Sequence, residues 1–499
     1  MNVLKRVDRN RGKFLLCSLQ SHFDSSFRLS MKLISHGAAR EVTGTCHELI
    51  INTKAGEKHL LLDCGLFQGS RKEAAEKNAG FTFDPRTRID AMILSHAHMD
   101  HSGRIPLLYK KGYAGPIYCT YATQDLTEVM LADSAYIQEK DEEFASKYFR
   151  NSMLPSGPLY AQQDAAECMK LFVGKNYGEA FEVFPGVTCR FLEAGHILGA
   201  AMLYFEIEEE GRQIKFGFSG DLGRSSLPII RDPEPMPPVD FLICESTYGD
   251  RLHDDIETAK FRLKEEILKV SARGGKILIP AFSLERTQEI VYELHLLWDA
   301  KEIPAIPIII DSPLATRVTD VFRRHPECYD QAMYDQFLSR AHNPFQFSLV
   351  NYTESVEQSK ELNHARGPII IMAGSGMCEA GRIRHHLHNE LEDPRNMVLA
   401  VGFMAENTLG RRIVDPDVHE VKIFEDIIQK KAEIQYINAY SGHADKNDLD
   451  TYIQPIEGLK KLYLVHGEEV GMHALAERTI AARPIEVILP QRETEYVII

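Results

Sequence analysis

Three histidines and an aspartate fall within six residues in the stretch Ser95-His96-Ala97-His98-Met99-Asp100-His101. Imidazole nitrogens and carboxylate oxygens at that density are metal donors, suited to zinc and also to manganese or iron. A solvated polar loop, the bland alternative, has no use for so many ligand types together. A catalytic zinc needs about three protein ligands and an open position, and a pair of ions roughly twice that. The cluster therefore cannot close a site alone. His196, Asp221 and His466 are the further donors, because each stands where a short apolar run ends. Taken singly, each is also an ordinary turn residue. Asp63 closes the run Lys58–Leu62 and either binds metal itself or orients the histidines from behind.

These residues must be carried by short strands. Asp90-Ala91-Met92-Ile93-Leu94 reads as a buried strand that delivers the histidine cluster to a loop, and functional groups concentrate on such loops. Ser102 is expected to N-cap the following helix, with Pro106 early in it. Strands Phe181–Phe184 and Thr188–Phe191 lead to His196. The hairpin 201–206 and 214–218 leads to Asp221, and Val239–Cys244 leads to Glu245. From about residue 251 the texture changes. Helices alternate with the branched, very apolar runs 276–280, 306–310, 368–372 and 397–401, the pattern of a parallel sheet covered on both faces. After residue 425 short strands return, ending at His443 and His466.

The expected organisation is a first domain part over 31–250, an inserted α/β domain over 251–425 and a return segment over 426–499. Strand ends of a parallel sheet are ligand sites. Here they carry Ser312, Ser375 and Gly376, with Arg286, Arg382 and Arg411 nearby. Glycines and hydroxyls before helices can cradle phosphate through backbone N–H groups.

The net charge of −15 argues against a generally basic surface and counts mildly against a nucleic-acid partner, although bound cations and local arginines would offset it. No apolar run approaches the roughly 18 residues that span a bilayer. Nine cysteines, an odd number without a Cys-x-x-Cys pair, read as reduced thiols of a cytoplasmic protein. Residues 1–30 are basic and have an apolar part, Phe14–Cys17, too short for a secretory core. A disordered leader or a mis-called start is expected there, with Met31 immediately before a strand.

The series His96-x-His98-x-Asp100-His101, His196 and Asp221 resembles the metallo-β-lactamase fold. Glu245, the α/β insertion, His443 in Ser-Gly-His-Ala-Asp and His466 in Leu-Val-His-Gly-Glu resemble its β-CASP subfamily of nucleic-acid nucleases. The segments 274–282 and 374–377 are similar to prokaryotic relatives of the cleavage and polyadenylation endonuclease. The resemblance implies an α/β fold, an αββα sandwich with an inserted, Rossmann-like parallel β-CASP sheet. It implies two Zn2+ ions, with Mn2+ as the alternative. One would be held by His96, His98 and His196, the other by Asp100, His101 and His466, with Asp221 bridging and Asp63 behind the ligands. It further implies hydrolysis of single-stranded RNA, with His443 as general acid, oriented by Glu245. Arg286, Ser312, Ser375, Gly376 and Arg411 would grip the RNA backbone. Relatives are often dimers, which leaves a homodimer open.

Three other functions compete. A thioesterase- or lactonase-like hydrolase of small molecules needs neither the insertion nor the late histidines. A non-catalytic RNA-binding scaffold should have lost ligands, and here each position is filled. A DNA nuclease is disfavoured by a histidine at position 466.

Overall fold

Runs in which alternate residues are apolar and β-branched or aromatic make strands with one buried face. Lys32–Gly37, Cys46–Thr53 and Gly56–Leu62 form an antiparallel meander. Ala91–Ile93, Ile117–Thr120 and Phe172–Lys175 extend it in parallel, and Glu495–Val497 closes the opposite edge. A second seven-stranded sheet joins the antiparallel strands Ala180–Phe184, Val187–Glu193, Ala201–Glu209 and Arg212–Phe218 to the parallel strands Phe241–Glu245, Lys461–Val465 and Glu486–Ile488. Leu33, Leu49, Leu60 and Ile93 of the first sheet meet Phe191, Phe205, Phe216 and Ile243 of the second in one buried cluster. The sheets thus pack face to face, and helices including Tyr121–Tyr148 cover the outside, giving the expected αββα sandwich. This computed structural model describes residues 31–499 apart from 70, 149–156, 210, 340–343, 403, 405 and 406, so the expected leader at 1–30 lies outside the described residues.

The insertion leaves after Glu245. Its six strands are all parallel, in the spatial order Val350–Tyr352, Ile308–Ile310, Ile369–Ala373, Lys276–Pro280, Met397–Ala400 and Glu433–Tyr436. The parallel, doubly covered sheet is the expected one, but its order is its own. The fourth strand lies between the first and second, whereas a dinucleotide-binding sheet keeps its first strand central between the second and fourth. Glu433–Tyr436 lies within the expected return segment 426–499 but belongs to this sheet. It pairs with Met397–Ala400 as the sheet's last strand, so the chain returns to the sandwich only after Tyr436. The insertion is seated by a continuous apolar cluster in which its Ile279, Leu284 and Ile290 join Leu198, Leu222 and Leu464 of the sandwich.

Among the described residues no helix is long and apolar enough to cross a membrane, and the eight described cysteines are free and buried.

The C-terminal strand is held by a buried charge network. His36 Nε2 lies 3.0 Å from Glu48, and its Nδ1 lies 3.0 Å from Glu493. Burial opposes the charge on His36, but Glu48 and Glu493 outweigh it and raise its pKa to about 9. Stability from this group is fully present below the unfolded value near 6.5 and is lost as pH rises through about 9, on the order of 3 kcal/mol in all. His36→Gln is therefore expected to shrink the fall in Tm between pH 7 and 10, as read by calorimetry.

Candidate metal centre

The donors converge at one end of the sandwich, where the two sheets' parallel strands terminate. After Ile93 a loop over 94–98, which carries His96 and His98, leads into a helical turn, Met99–Ser102, which carries Asp100 and His101. Ser102 is therefore not the N-cap expected of it. It ends that turn, and its hydroxyl donates back to the carbonyls of Ala97 and His98 at 3.1 and 2.9 Å. The loops press closely together. A Cβ on Gly65 would come 1.6 Å from the Asp100 carbonyl oxygen, and one on Gly223 would come 1.7 Å from that of Gly195. Glycine at these two positions lets the loops of Asp63 and Asp221 reach those of Asp100 and His196.

Hydrogen bonds at the back of each ring decide which nitrogen faces forward. The Ser95 hydroxyl donates to Asp63 Oδ2 at 2.7 Å, so it accepts from His96 Nδ1 at 3.0 Å. His101 Nδ1 donates to the same Asp63 oxygen at 2.7 Å. His196 Nδ1 donates to the Gly442 carbonyl at 2.8 Å. In all three histidines the back bond occupies Nδ1 and turns Nε2 inward, the orientation a metal requires. Asp63 spends both oxygens on Ser95 and His101. Of its two readings, the geometry is that of an orienting residue. Asp63→Asn tests this cleanly, because Asn tolerates the left-handed backbone at φ +61°. Zinc affinity is expected to fall by 10- to 100-fold, roughly the cost of losing such a partner, measured by competition with a chromophoric chelator.

His98 Nδ1 lies 3.2 Å from Nε2 of both His96 and His196. Three nitrogens around one zinc at about 2.0–2.1 Å would be roughly 3.3 Å apart, so the spacing fits one ion. Asp221 Oδ2 completes this group at 3.5 Å from His96 and 3.6 Å from His196. Its other oxygen faces the opposite way, 3.2 Å from His101 Nε2 and 3.4 Å from His466 Nδ1. His466 Nε2 in turn lies 3.5 Å from Asp100. Asp221 Oδ1 and His466 Nε2 are buried without a hydrogen-bond partner. Orphaned buried acceptors among bare imidazoles are costly unless a cation sits between them. The donor set thus fits divalent metal.

Electrostatics agree. Burial holds His96 and His196 well below the ordinary histidine range and pushes His98 down to about 4, so their lone pairs are free at neutral pH. Burial would raise the Asp221 carboxyl, but His101 and His466 outweigh it and hold the group ionised. His101 differs: burial opposes its charge, but Asp221 and Asp63 outweigh it and raise its pKa well above the ordinary histidine range, so its Nε2 is freed to ligate only as a cation displaces the proton.

His443 stands on a third side, with 21 % of its side chain exposed. Its Nδ1 is 3.2 Å from Glu245 Oε1 and 3.8 Å from Asp221 Oδ2. Burial lowers its pKa, but Glu245 and Asp221 raise it to about 9. Glu245 is itself fixed by the Leu222 N–H at 2.6 Å and by the Thr247 hydroxyl. Thr247 also lies 3.1 Å from His466 Nδ1, and His253 Nε2 donates to the His443 carbonyl at 3.2 Å. Sequence reasoning assigned no role to Ser95, Thr247 or His253. A hydroxyl beside a donor histidine, and one two residues beyond a buried acid, were the available signals for the first two.

The expected backbone-gripping residues all lie at the carboxyl ends of the inserted sheet's strands or the helices that follow. Arg286 is buried, ion-paired with Glu289 and 5.9 Å from the Tyr440 ring, three residues before His443. Ser312 caps its helix by accepting from Ala315 N, and its hydroxyl is 3.1 Å from that of Ser283. The Ser375 hydroxyl accepts from Ala380 N at 3.2 Å. Gly376 lies against the half-exposed Phe282 ring, where a Cβ would come within 2.9 Å. Arg411 is exposed on the helix Leu409–Val414. Arg382, like Arg286, is held by an acid, Asp311 at 2.7 Å.

A two-sheet sandwich with this donor set, interrupted by a parallel α/β domain, defines a β-CASP metallohydrolase, and the chain belongs to the β-CASP RNA nucleases of the metallo-β-lactamase superfamily. Residues 49–144 match the metallo-β-lactamase superfamily, 287–413 the β-CASP domain, and 427–490 a zinc-dependent metallo-hydrolase RNA specificity domain. The chain is 37 % identical over 459 residues to Ribonuclease TTHA0252 of Thermus thermophilus, covering 92 % of this chain and 98 % of that one. It is 28 % identical to transcription termination factor FttA of Methanosarcina mazei, over 91 % of this chain and 70 % of that protein. The fold also matches a solved structure from Enterococcus faecalis, described as a protein of unknown function, at a TM-score of 0.53 and 14 % identity over 94 % of this chain and all of that one.

Proposed function

We infer that this chain is a zinc-dependent ribonuclease that hydrolyses phosphodiester bonds of single-stranded RNA with a pair of Zn2+ ions, Mn2+ being the alternative. The observation that carries this reading is Asp221. Its two oxygens serve two different histidine groups, the arrangement of a bridging carboxylate, and His443 stands beside them on the open side. His96, His98 and His196 would hold one ion, and Asp100, His101 and His466 the other. Bound there, the ions would activate a water and offset the charge that builds on phosphorus.

The remaining chemistry falls to the chain. The leaving 3′-oxygen is a strongly basic alkoxide and needs a proton. His443 supplies it as general acid, and Glu245 orients the ring through Nδ1 so that Nε2 carries the transferred proton. The products are a 3′-hydroxyl and a 5′-phosphate. Arg411, with the strand-end turns at Ser312, Ser375 and Gly376, would grip successive phosphates, a contact that ignores sequence; Arg286 would join them only by giving up its buried ion pair with Glu289. The name of the Thermus relative supports RNA as substrate, and the presence of every expected donor speaks against a bare scaffold. A homodimer is the proposed state in solution, checked by sedimentation equilibrium.

The deciding experiment is cleavage of one single-stranded RNA, labelled separately at each end, by zinc-loaded protein, beside a chelated sample and a matched DNA strand. Internal fragments lost on chelation establish a metal-dependent endonuclease, and mononucleotides released from the 5′ end establish an exonuclease. No cleavage of RNA by metal-loaded protein overturns the reading.

A further inference from the structure

Glu285 immediately precedes the helix Arg286–Asp299, shortly beyond the strand Lys276–Pro280, at φ +67° and ψ −60°. The Arg286 N–H returns to the Leu284 carbonyl at 2.9 Å, which makes Glu285 the centre of a γ-turn in its rare, strained form. Such a conformation persists only where the surroundings over-determine it, and it marks sites where strain serves a purpose. The side chain adds a second cost. It is 3 % exposed, its Oε1 has no hydrogen-bond partner, and burial beside Glu289 and Glu193 disfavours its charge. Backbone preference, solvation and electrostatics therefore all argue against a glutamate here.

One contact argues for it. Glu285 Oε2 accepts the Leu198 N–H at 3.0 Å, from the inserted domain to the sandwich. Leu198 lies two residues beyond His196, in the loop Gly195–Gly199, whose glycines both sit at positive φ. That loop has two other kinds of tie. The hydroxyls of Thr120 and Thr123 donate to its Gly199 carbonyl at 2.7 and 2.8 Å, and the Gly442 carbonyl holds the His196 ring. The sandwich, the return segment and the insertion thus each hold the same five residues; the insertion does so through Glu285 and through Cys328, which meets the Gly199 N–H.

We propose that Glu285 is a positioning residue for His196: its carboxyl oxygen clamps the Leu198 N–H, so that the seating of the inserted domain sets the geometry of one metal ligand. This rests on the reading of the site as a metal centre, and it adds a dependence of metal affinity on an interdomain contact. The site would then be fully formed only when the insertion is seated.

The test uses the full chain with three substitutions. E285G removes the clamp and relieves the strained turn, E285D keeps a carboxyl group but falls one methylene short of Leu198, and E285Q keeps an amide oxygen able to accept the same bond. Zinc affinity is read by chelator competition, and amide exchange over 195–199 by mass spectrometry on metal-free protein. E285G and E285D are expected to lose about tenfold in zinc affinity, the low end for an outer partner of a metal ligand, and to exchange faster at Leu198. E285Q should stay within about twofold of the parent in both. If E285G does not fold, E285D against E285Q carries the comparison. Parental affinity and parental exchange in E285G or E285D overturn the proposal, and so does E285Q behaving like E285D. If the parent takes up no zinc, the metal reading fails by itself. Exchange then decides alone: faster exchange in E285D keeps the clamp, and unchanged protection removes it.

Discussion

His443→Ala is expected to lower kcat for RNA cleavage by about a thousandfold, within the 10²–10⁴ range of a lost general acid, while bound zinc stays at the parental level. The physical reason lies in the leaving group. An RNA 3′-alkoxide cannot depart without a proton, whereas 4-nitrophenolate leaves as the anion. A 4-nitrophenyl phosphodiester should therefore lose only about tenfold or less in the same variant, since proton donation to that leaving group gains little. This contrast separates two roles that geometry alone permits, because His443 lies in ligand reach of Asp221, Glu245 and His466 as well as in reach of a substrate. Were His443 a metal ligand, both substrates would suffer together and zinc content would drop. Glu245→Gln should follow the pattern of His443→Ala more weakly, since it leaves the ring in place and removes the charge that aligns it.

Asp221→Asn carries the other large effect. The substitution preserves shape at a buried position but replaces one of two anionic oxygens, each turned toward a different donor group, with an NH2 that cannot ligate. Zinc per chain, by elemental analysis, is expected to fall from two to one or fewer. Affinity for the remaining ion should weaken by more than about a hundredfold, beyond the cost of losing an outer partner. RNA hydrolysis should fall to background. Stability gives an independent reading. Ligand that binds only the folded state raises Tm, so chelation should lower the Tm of the parent and scarcely move that of the variant. A variant retaining two ions and parental turnover would show that Asp221 does not bridge.

Much of this centre could be read from residue order. His96, His98, Asp100, His101, His196, Asp221, Glu245, His443 and His466 each follow a short apolar run. Strand ends are visible locally because hydrophobic patterning stops there, and donor types are conspicuous where they crowd. The same local logic placed most strands and helices within a few residues. It failed where the deciding partner is distant in sequence. Ser102 looked like a cap because cap rules see only neighbours, while the chain turns helical earlier under the packing of Gly65 on Asp100. Glu433–Tyr436, in the expected return segment, joins the inserted sheet, because an edge strand reads alike in any sheet and only its pairing with Met397–Ala400 assigns it.

The amino-acid sequence by itself thus determined which donors exist, that they sit at strand ends, and that a parallel α/β unit interrupts the chain. The tertiary structure decided the rest. It turned Nε2 of three histidines inward through Asp63, Ser95 and Gly442, split the two oxygens of Asp221 between two donor groups, and set Glu285 in a strained turn against Leu198. Each of these depends on hydrogen bonds and ion pairs between residues far apart in the chain. Their geometry is fixed only when the sheets have packed, and no periodicity in the sequence encodes it.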